Sequence, residues 1–177
     1  PEIENLYRVE SEQLYSCILP SSTQYARNSL FSGLLPSEIE KKYPQYWLNE
    51  EDDGNKNQFE PQLLTEFFKR FGKNIKTSYY KVLNYSFGKK LAESIPNLFT
   101  NNLVVIVYNF VDMLSHARTE MEIIKELAND ATAYRSLTLS WFNHSPLLDI
   151  IKQLAEKQAD IAITTDHGSI QVTNPIK

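Results

Sequence analysis

Residues 103–110, LVVIVYNF, contain the longest apolar run in the chain. A short run with apolar residues on both faces is typical of a buried strand in a parallel sheet. Residues 161–165 (IAITT) show the same pattern. Residues 14–19 (LYSCIL) and 76–82 are also strand-like, so four strands are predicted along the chain.

Amphipathic helices are predicted between these strands. Three apolar stripes have helical spacing: Leu63, Leu64, Phe67, Phe68 and Phe71; Tyr134, Leu137 and Trp141; and Leu147, Leu148, Ile151, Leu154 and Ala155. The polar, acidic residues 49–58 (NEEDDGNKNQ) are predicted to form a surface loop. Strands that alternate with helices favour an α/β fold, with a mostly parallel central sheet flanked by helices.

The composition narrows the class of protein. With 177 residues, of which 42% are hydrophobic, the chain has material for one domain with a core. A net charge of −4 argues against a surface that coats nucleic acid, and the single cysteine, Cys17, excludes an internal disulfide. The longest apolar run, at residues 103–108, is far too short to span a membrane. We therefore expect a soluble, cytoplasmic protein with no membrane partner.

Two pairs of aspartate and histidine are candidates for metal binding. His116 follows Asp112 by four residues in VDMLSH, and Asp166 precedes His167 directly in TTDHG. Each pair follows a predicted strand, and open parallel sheets bind ligands at that end of their strands. Carboxylate and imidazole together suit Zn²⁺ or Mn²⁺. Taken singly, Asp112 is also explained as a loop residue or helix cap, and Asp-His-Gly as a turn. The occurrence of two such pairs favours the metal interpretation.

A threonine at the start of a predicted helix is a candidate nucleophile. Thr23 follows the predicted strand at residues 14–19, and a helix N-terminus favours a phosphate through its free N–H groups and its dipole. A neighbouring dication would activate the hydroxyl, whereas an N-cap is the alternative role. Arg27, one turn further, would approach the anion or be a solvated helix charge. His144, in SWFNHSP, would position phosphate, join the metal site or lie at a helix end.

These motifs together resemble those of a known family. PSSTQYARNSLFSGLLPSEI, at residues 20–39, resembles the nucleophile segment of the alkaline-phosphatase superfamily, in which Pro-x-x-Ser/Thr opens a helix that ends in a Gly-x-x-Pro turn. VDMLSH and TTDHG resemble the two later metal-binding motifs of that superfamily, in the same order. YNFVDMLSHARTEMEIIKELA, YRSLTLSWFNHSPLL and ITTDHG are similar to the PglZ domain of receiver-containing response regulators. The resemblance covers nearly the entire chain.

The resemblance implies a metal-dependent phosphodiesterase or phosphatase with a two-metal centre. Thr23 would be the nucleophile and a ligand of the second metal, which Asp166 and His167 would also hold, while Asp112 and His116 would hold the first. Zn²⁺ is the implied metal, with Mn²⁺ as an alternative. The implied substrates are cyclic or linear oligonucleotides, and the implied setting is a two-component system that regulates type IX secretion.

The same resemblance suggests partners for the intact protein. A receiver domain and a sensor kinase are expected, and a transcription-factor partner and a homodimer are further candidates. The alternative function is a non-catalytic regulatory module that binds transcription or secretion components, for which acidic stretches such as residues 49–53 would provide a surface. The sequence contains neither a P-loop motif nor a Gly-x-Ser-x-Gly elbow, which argues against those two enzyme classes.

Two positions of the family pattern have no counterpart. No aspartate precedes Asp52, where the family has a metal-binding aspartate upstream of the nucleophile, and no histidine follows His167. We therefore expect residues 1–177 to be an incomplete fragment of one PglZ domain. By itself, such a fragment would bind metal weakly or not at all and would be inactive.

Overall fold

The computed structural model describes residues 3–168, which divide into two compact units. The helical unit comprises the described residues of Ser11–Ile75 and Ile161–Lys177. The sheet unit comprises the described residues of Pro1–Glu10 and Lys76–Asp160. Thr23, Asp166 and His167 therefore belong to the helical unit, while Asp112 and His116 belong to the sheet unit.

Three α-helices form the helical unit: α1 (Thr23–Ser32), α2 (Pro36–Lys42) and α3 (Glu60–Arg70), with a 3₁₀ turn at Pro44–Tyr46. Helix α1 ends at Gly33, which has a left-handed φ of 62°. A Cβ atom at Gly33 would lie 2.7 Å from a ring carbon of Phe67, so a side chain at this position would disturb the packing of α1 on α3. Pro36 begins α2, which confirms the predicted Gly-x-x-Pro turn.

The predicted apolar stripe of α3 faces the core of the helical unit. Leu63 and Leu64 are buried, which confirms this helix, although Phe71 lies just beyond its end and is exposed. The core is completed by apolar residues from α1, α2 and the segment that follows α2: Phe31, Ile39, Tyr43 and Trp47. The burial of this stripe holds α3 beside α1 and so supports the helix that begins at Thr23.

Two parallel strands and five helices form the described part of the sheet unit: β1 (Thr77–Val82), α4 (Tyr85–Leu98), β2 (Leu103–Tyr108), α5 (Phe110–Glu120), α6 (Glu122–Leu127), α7 (Ala131–Asn143) and α8 (Pro146–Glu156). In the β-ladder, Thr77 pairs with Leu103 and Val82 pairs with Tyr108. Helix α4 packs on β1 and against α8, and the core of the unit consists of buried side chains from these three elements: Val82, Leu91, Ala92, Ile95 and Ile150. The stripes predicted at α7 and α8 are confirmed as helices.

The predicted sheet is larger than the observed one. Residues 14–19 and 161–165 are not strands, and Leu14, Leu19 and Ile163 are exposed. A strand needs the backbone of a neighbour to bond with, and the described part of the helical unit contains no strand. The prediction of a mostly parallel central sheet is therefore corrected to a helix-rich α/β structure with a two-stranded parallel sheet.

Cys17 lies within the predicted strand at residues 14–19, and it is likewise not in a strand and is half-buried. Within residues 3–168, none of the helices combines the length and the apolar character needed to cross a bilayer.

Candidate functional site

Three of the predicted site residues lie together in the helical unit. The hydroxyl oxygen Oγ1 of Thr23 lies 3.1 Å from Nε2 of His167, which is 144 positions further along the chain. A carboxylate oxygen of Asp166 lies 3.8 Å from the same nitrogen. The side chains of His167 and Asp166 are 23% and 19% exposed, so both are shielded yet reachable. We call these three residues the Thr–Asp–His cluster.

The hydrogen bonds of His167 determine which ring nitrogen faces Thr23 as an acceptor. Nδ1 lies 3.0 Å from the carbonyl oxygen of Gly168, which can only accept, so Nδ1 carries the proton. In the neutral ring Nε2 is then an acceptor, and the hydroxyl of Thr23 donates to it. Histidines that bind metals usually donate their other ring N–H to a carbonyl or carboxylate in this way.

The donor atoms of the cluster suit a divalent metal. The unprotonated Nε2, the carboxylate of Asp166 and the hydroxyl of Thr23 are borderline and hard ligands of the kind that Zn²⁺ and Mn²⁺ accept. A catalytic zinc usually takes three protein ligands. Among residues 3–168, however, no group of three or more His, Cys, Asp or Glu side chains is placed to hold a metal, so a three-ligand site here would include the threonine.

Thr23 is the first residue of α1 and not its cap. Ser22 is the N-cap, with extended backbone angles of φ −108° and ψ 145°, so the N-cap interpretation of Thr23 is wrong. The side chain of Ser22 makes no capping hydrogen bond. The Thr23 hydroxyl thus lies at the positive end of the α1 dipole, where negative charge on an oxygen or a phosphate is stabilised.

Tyr15 places the segment that carries Asp166 and His167. Its phenolic hydroxyl lies 3.0 Å from Oγ1 of Thr164 and donates to the carbonyl oxygen of Thr165. The hydroxyl of Thr165 in turn donates to the carbonyl oxygen of His167 at 2.7 Å. Residues 161–165 therefore run toward the cluster without any β-ladder. The sequence offered no signal for this role, because Tyr15 fits the pattern of a predicted strand residue.

Arg27 is not a solvated helix charge. The side chain is buried in the helical unit, where Nε donates to a carboxylate oxygen of Glu60 at the start of α3. The expected solvation is wrong because α1 packs on α3 along this face. The predicted role of Arg27 in binding a phosphate stays a prediction.

Asp112 and His116 form a pair on α5 in the sheet unit. Their side chains are one turn apart, with Nε2 of His116 3.6 Å from Oδ1 of Asp112, and both are exposed. Asn109 is the N-cap of α5, so Asp112 lies in the first turn and is neither a loop residue nor a cap. Carboxylate and imidazole with i, i+4 spacing on one helix face can bind a metal together, and this pair supplies two such ligands.

The start of α5 is held by aromatic contacts. The ring of Phe110 stacks on that of Trp141 in α7, with centroids 3.9 Å apart and planes at 3°. The hydroxyl of Tyr134 donates to the carbonyl oxygen of Val111 at 3.0 Å. Burial raises the pKa of the Tyr134 phenol, and the negative charge of Asp112 contributes in the same direction. These contacts fix the backbone around Asp112 while leaving its carboxylate accessible.

His144 is the C-cap residue of α7, as the helix-end interpretation predicted. Its Nδ1 donates to the carbonyl oxygen of Ser140 at 2.8 Å, and the residue is exposed. The bond satisfies one of the carbonyl groups that a helix C-terminus leaves without an intrahelical partner. A role for His144 in positioning phosphate stays a prediction.

Comparison with known families identifies the family of this chain. The model of the family described as the BREX system PglZ alkaline phosphatase-like domain matches residues 2–177. The match includes both units and every residue predicted for the metal sites: Thr23, Asp112, His116, Asp166 and His167. No curated protein matches the chain.

Proposed function

Since this chain belongs to the PglZ alkaline phosphatase-like family, we propose that it is a metal-dependent phosphodiesterase or phosphatase domain with Thr23 as its nucleophile. The observation that carries the proposal is the 3.1 Å contact between the Thr23 hydroxyl and Nε2 of His167. A threonine hydroxyl is a weak nucleophile until a neighbouring group favours its deprotonation. In the Thr–Asp–His cluster that neighbour is Nε2 of His167. The α1 dipole also favours deprotonation of the Thr23 hydroxyl.

The reaction would proceed by covalent catalysis. In-line attack by Oγ1 of Thr23 on the phosphorus would form a threonine phosphoester and break the bond to the leaving oxygen. Hydrolysis by water would then release the phosphate and restore the hydroxyl. The backbone N–H groups at the start of α1 would meet the negative phosphoryl oxygens.

Asp166, His167 and Thr23 would hold one divalent metal, and Asp112 with His116 would hold another. Zn²⁺ is favoured by the ligand set, with Mn²⁺ as the alternative. The metal would supply positive charge that favours the alkoxide and offsets charge on the phosphate. Arg27 and His144 are secondary candidates for contact with the substrate.

The substrate class and the cellular setting rest on resemblance. The motifs around residues 108–128 and 134–148 are similar to those of PglZ domains in response regulators such as PorX, the regulator of type IX secretion. Cyclic or linear oligonucleotides are the proposed substrates, and a receiver domain and sensor kinase would control the domain. The family description names BREX systems, which is an alternative setting for the same chemistry.

Substitution of the nucleophile tests this proposal. In the intact protein, with Zn²⁺ or Mn²⁺ added, Thr23→Val should lower turnover of bis(p-nitrophenyl) phosphate by at least about 100-fold, the lower end of what an essential catalytic group contributes. Thr23→Ser is the matched control, because it keeps the hydroxyl and should retain measurable turnover. Circular dichroism would show that both variants are folded. Equal turnover by wild type and Thr23→Val would remove Thr23 from the mechanism.

A regulatory module that binds a protein partner is the second candidate. It is supported by exposed acidic residues 50–53 in the helical unit and by exposed apolar side chains in the sheet unit: Met113, Met121, Ile123 and Leu127. A variant that combines Asp166→Ala with His167→Ala separates the two functions. Full partner binding without turnover would show that the two functions are independent, and loss of both would tie the partner to the cluster.

A further inference from the structure

We propose that Asn57 is a positioning residue for Thr23, an inference that rests on the proposed function only in taking Thr23 as the nucleophile. The side-chain Nδ2 of Asn57 donates to the main-chain carbonyl oxygen of Thr23 at 3.2 Å. Asn57 is only 7% exposed, although its loop is otherwise largely exposed. An amide is costly to bury without hydrogen bonds, and this bond to Thr23 offsets that cost.

The loop that carries Asn57 is bonded along one side of α1. Nε2 of Gln24 donates to the carbonyl oxygen of Leu48 at 2.8 Å, and Nδ2 of Asn28 donates to that of Lys56 at 3.0 Å. Residues 49–58 form the predicted surface loop, with residues 49–55 and 58 exposed, and they also bond to α1. Their polar groups bond to the first two turns of α1, and Asn57 is the loop residue that bonds to Thr23.

The loop is also braced internally, so Asn57 has a defined place. The backbone N–H of Asn57 donates to Oδ1 of Asn55 at 3.0 Å, and the amine of Lys56 donates to the carbonyl oxygens of Asn49 and Asp52. The backbone N–H of Asn49 donates to a carboxylate oxygen of Asp52 at 2.6 Å. Because the loop already holds the Asn57 side chain in place, its hydrogen bond to Thr23 costs little conformational entropy.

Thr23 needs such support because it is the first helical residue. Helix ends fray, and the side chain of the N-cap residue Ser22 makes no capping bond here. The bond from Asn57 holds the Thr23 backbone from outside the helix. Its removal would let the hydroxyl move away from Nε2 of His167, and displacements of about 1 Å in a reacting group can cost about 100-fold in rate.

The first test needs no catalytic activity. The chain has three histidines, so ¹⁵N labelling of histidine gives three imidazole spin systems, and His167→Gln identifies the one of interest. Asn57→Ala should shift the Nε2 resonance of His167 toward its position in Thr23→Val. Asn28→Ala is the matched control, because it removes an equivalent bond to the same loop one turn away from Thr23. It should lower stability to urea to a similar extent and leave the His167 resonance in place.

A second variant tests whether the shift seen in Asn57→Ala comes only from unfolding of that variant. Asn57→Asp keeps the size of the side chain but cannot donate to a carbonyl when ionised, so it should produce the same shift of the His167 resonance. An unmoved resonance in folded Asn57→Ala and Asn57→Asp would overturn the inference. Equal shifts in Asn28→Ala and Asn57→Ala would also overturn it, because the effect would then be general loosening of the loop.

Kinetics distinguish this inference from the proposed function. Where wild type turns over bis(p-nitrophenyl) phosphate, Asn57→Ala should lower kcat by about 10- to 100-fold with KM nearly unchanged, because the substrate still binds while the nucleophile is displaced. An unchanged kcat would contradict positioning by Asn57. Should Thr23→Val turn over as fast as wild type, the proposed function fails, and the His167 resonance still decides whether Asn57 positions Thr23.

Discussion

Replacement of Glu60 by Gln is expected to destabilise the helical unit strongly. The Arg27 and Glu60 side chains are 9% and 0% exposed, so the substitution removes a negative charge that Nε of Arg27 contacts in a nearly dry setting. Removal of one partner from a buried ion pair typically costs about 3–5 kcal/mol. Glu60 also lies in the first turn of α3, where loss of negative charge adds about 0.3–1 kcal/mol.

A surface pair on the same helix provides the comparison. Glu66 accepts from Nζ of Lys69 at 2.7 Å, but Lys69 is 62% exposed. Exposed ion pairs contribute about 0–1 kcal/mol, so Glu66→Gln should cost no more than that. The two substitutions make the same chemical change on α3 and differ mainly in the solvation of the pair.

The two tryptophans allow the helical unit to be followed separately. Trp47 is buried in the helical unit, and Trp141 lies in the sheet unit. In a Trp141→Phe background, urea titration by fluorescence should report a loss of at least about 3 kcal/mol for Glu60→Gln, a large fraction of the about 5–15 kcal/mol that stabilises a typical domain.

The double variant Arg27→Met, Glu60→Leu should recover most of that loss, because a buried pair replaced by apolar residues is often neutral or stabilising. The reasoning would be refuted if Glu60→Gln and Glu66→Gln lowered the free energy of unfolding by amounts that agree to within about 1 kcal/mol, since the buried pair would then behave as a solvated one.

Four further outcomes are expected from urea unfolding. Gly33→Ala should lower the free energy of unfolding more than Gly72→Ala. Both residues have positive φ, which strains an alanine by about 1–2 kcal/mol, but only at Gly33 would the new Cβ meet the ring of Phe67. Equal losses would contradict that contact. Ile95→Ala should cost about 2–5 kcal/mol, since Ile95 is buried in the core of the sheet unit, and a loss below about 1 kcal/mol would contradict its packing. Burial raises the pKa of Tyr108 to about 12 from 10.0, so the free energy of unfolding should fall as pH rises through that interval, and Tyr108→Phe should weaken this decline. At neutral pH the same substitution should cost little, because the buried hydroxyl has no hydrogen-bond partner among residues 3–168, and a large loss would show that it has one.

Helices α1, α3, α7 and α8 were predictable because their signal is local, whereas no stripe was identified for α2, α4, α5 or α6. The stripe at Leu63 and Leu64 and the turn at Gly33 depend on residues within a few positions of each other. The strands at 77–82 and 103–108 were also found, and they pair with each other in parallel. Residues 14–19 and 161–165 have a similar pattern but form no ladder, because apolar character does not supply the neighbouring backbone that a strand requires.

The sequence by itself indicated helices at α1, α3, α7 and α8, a turn between Gly33 and Pro36, and the chemical types of the candidate donors. Tertiary structure alone decided that Thr23 lies beside His167, that Arg27 is buried against Glu60, and that the acidic loop bonds to α1 through Asn57. The physical reason is the range of the interactions. Backbone preferences and apolar periodicity act within one or two turns, whereas these side chains meet across 33 to 144 positions and come together only when the helices pack.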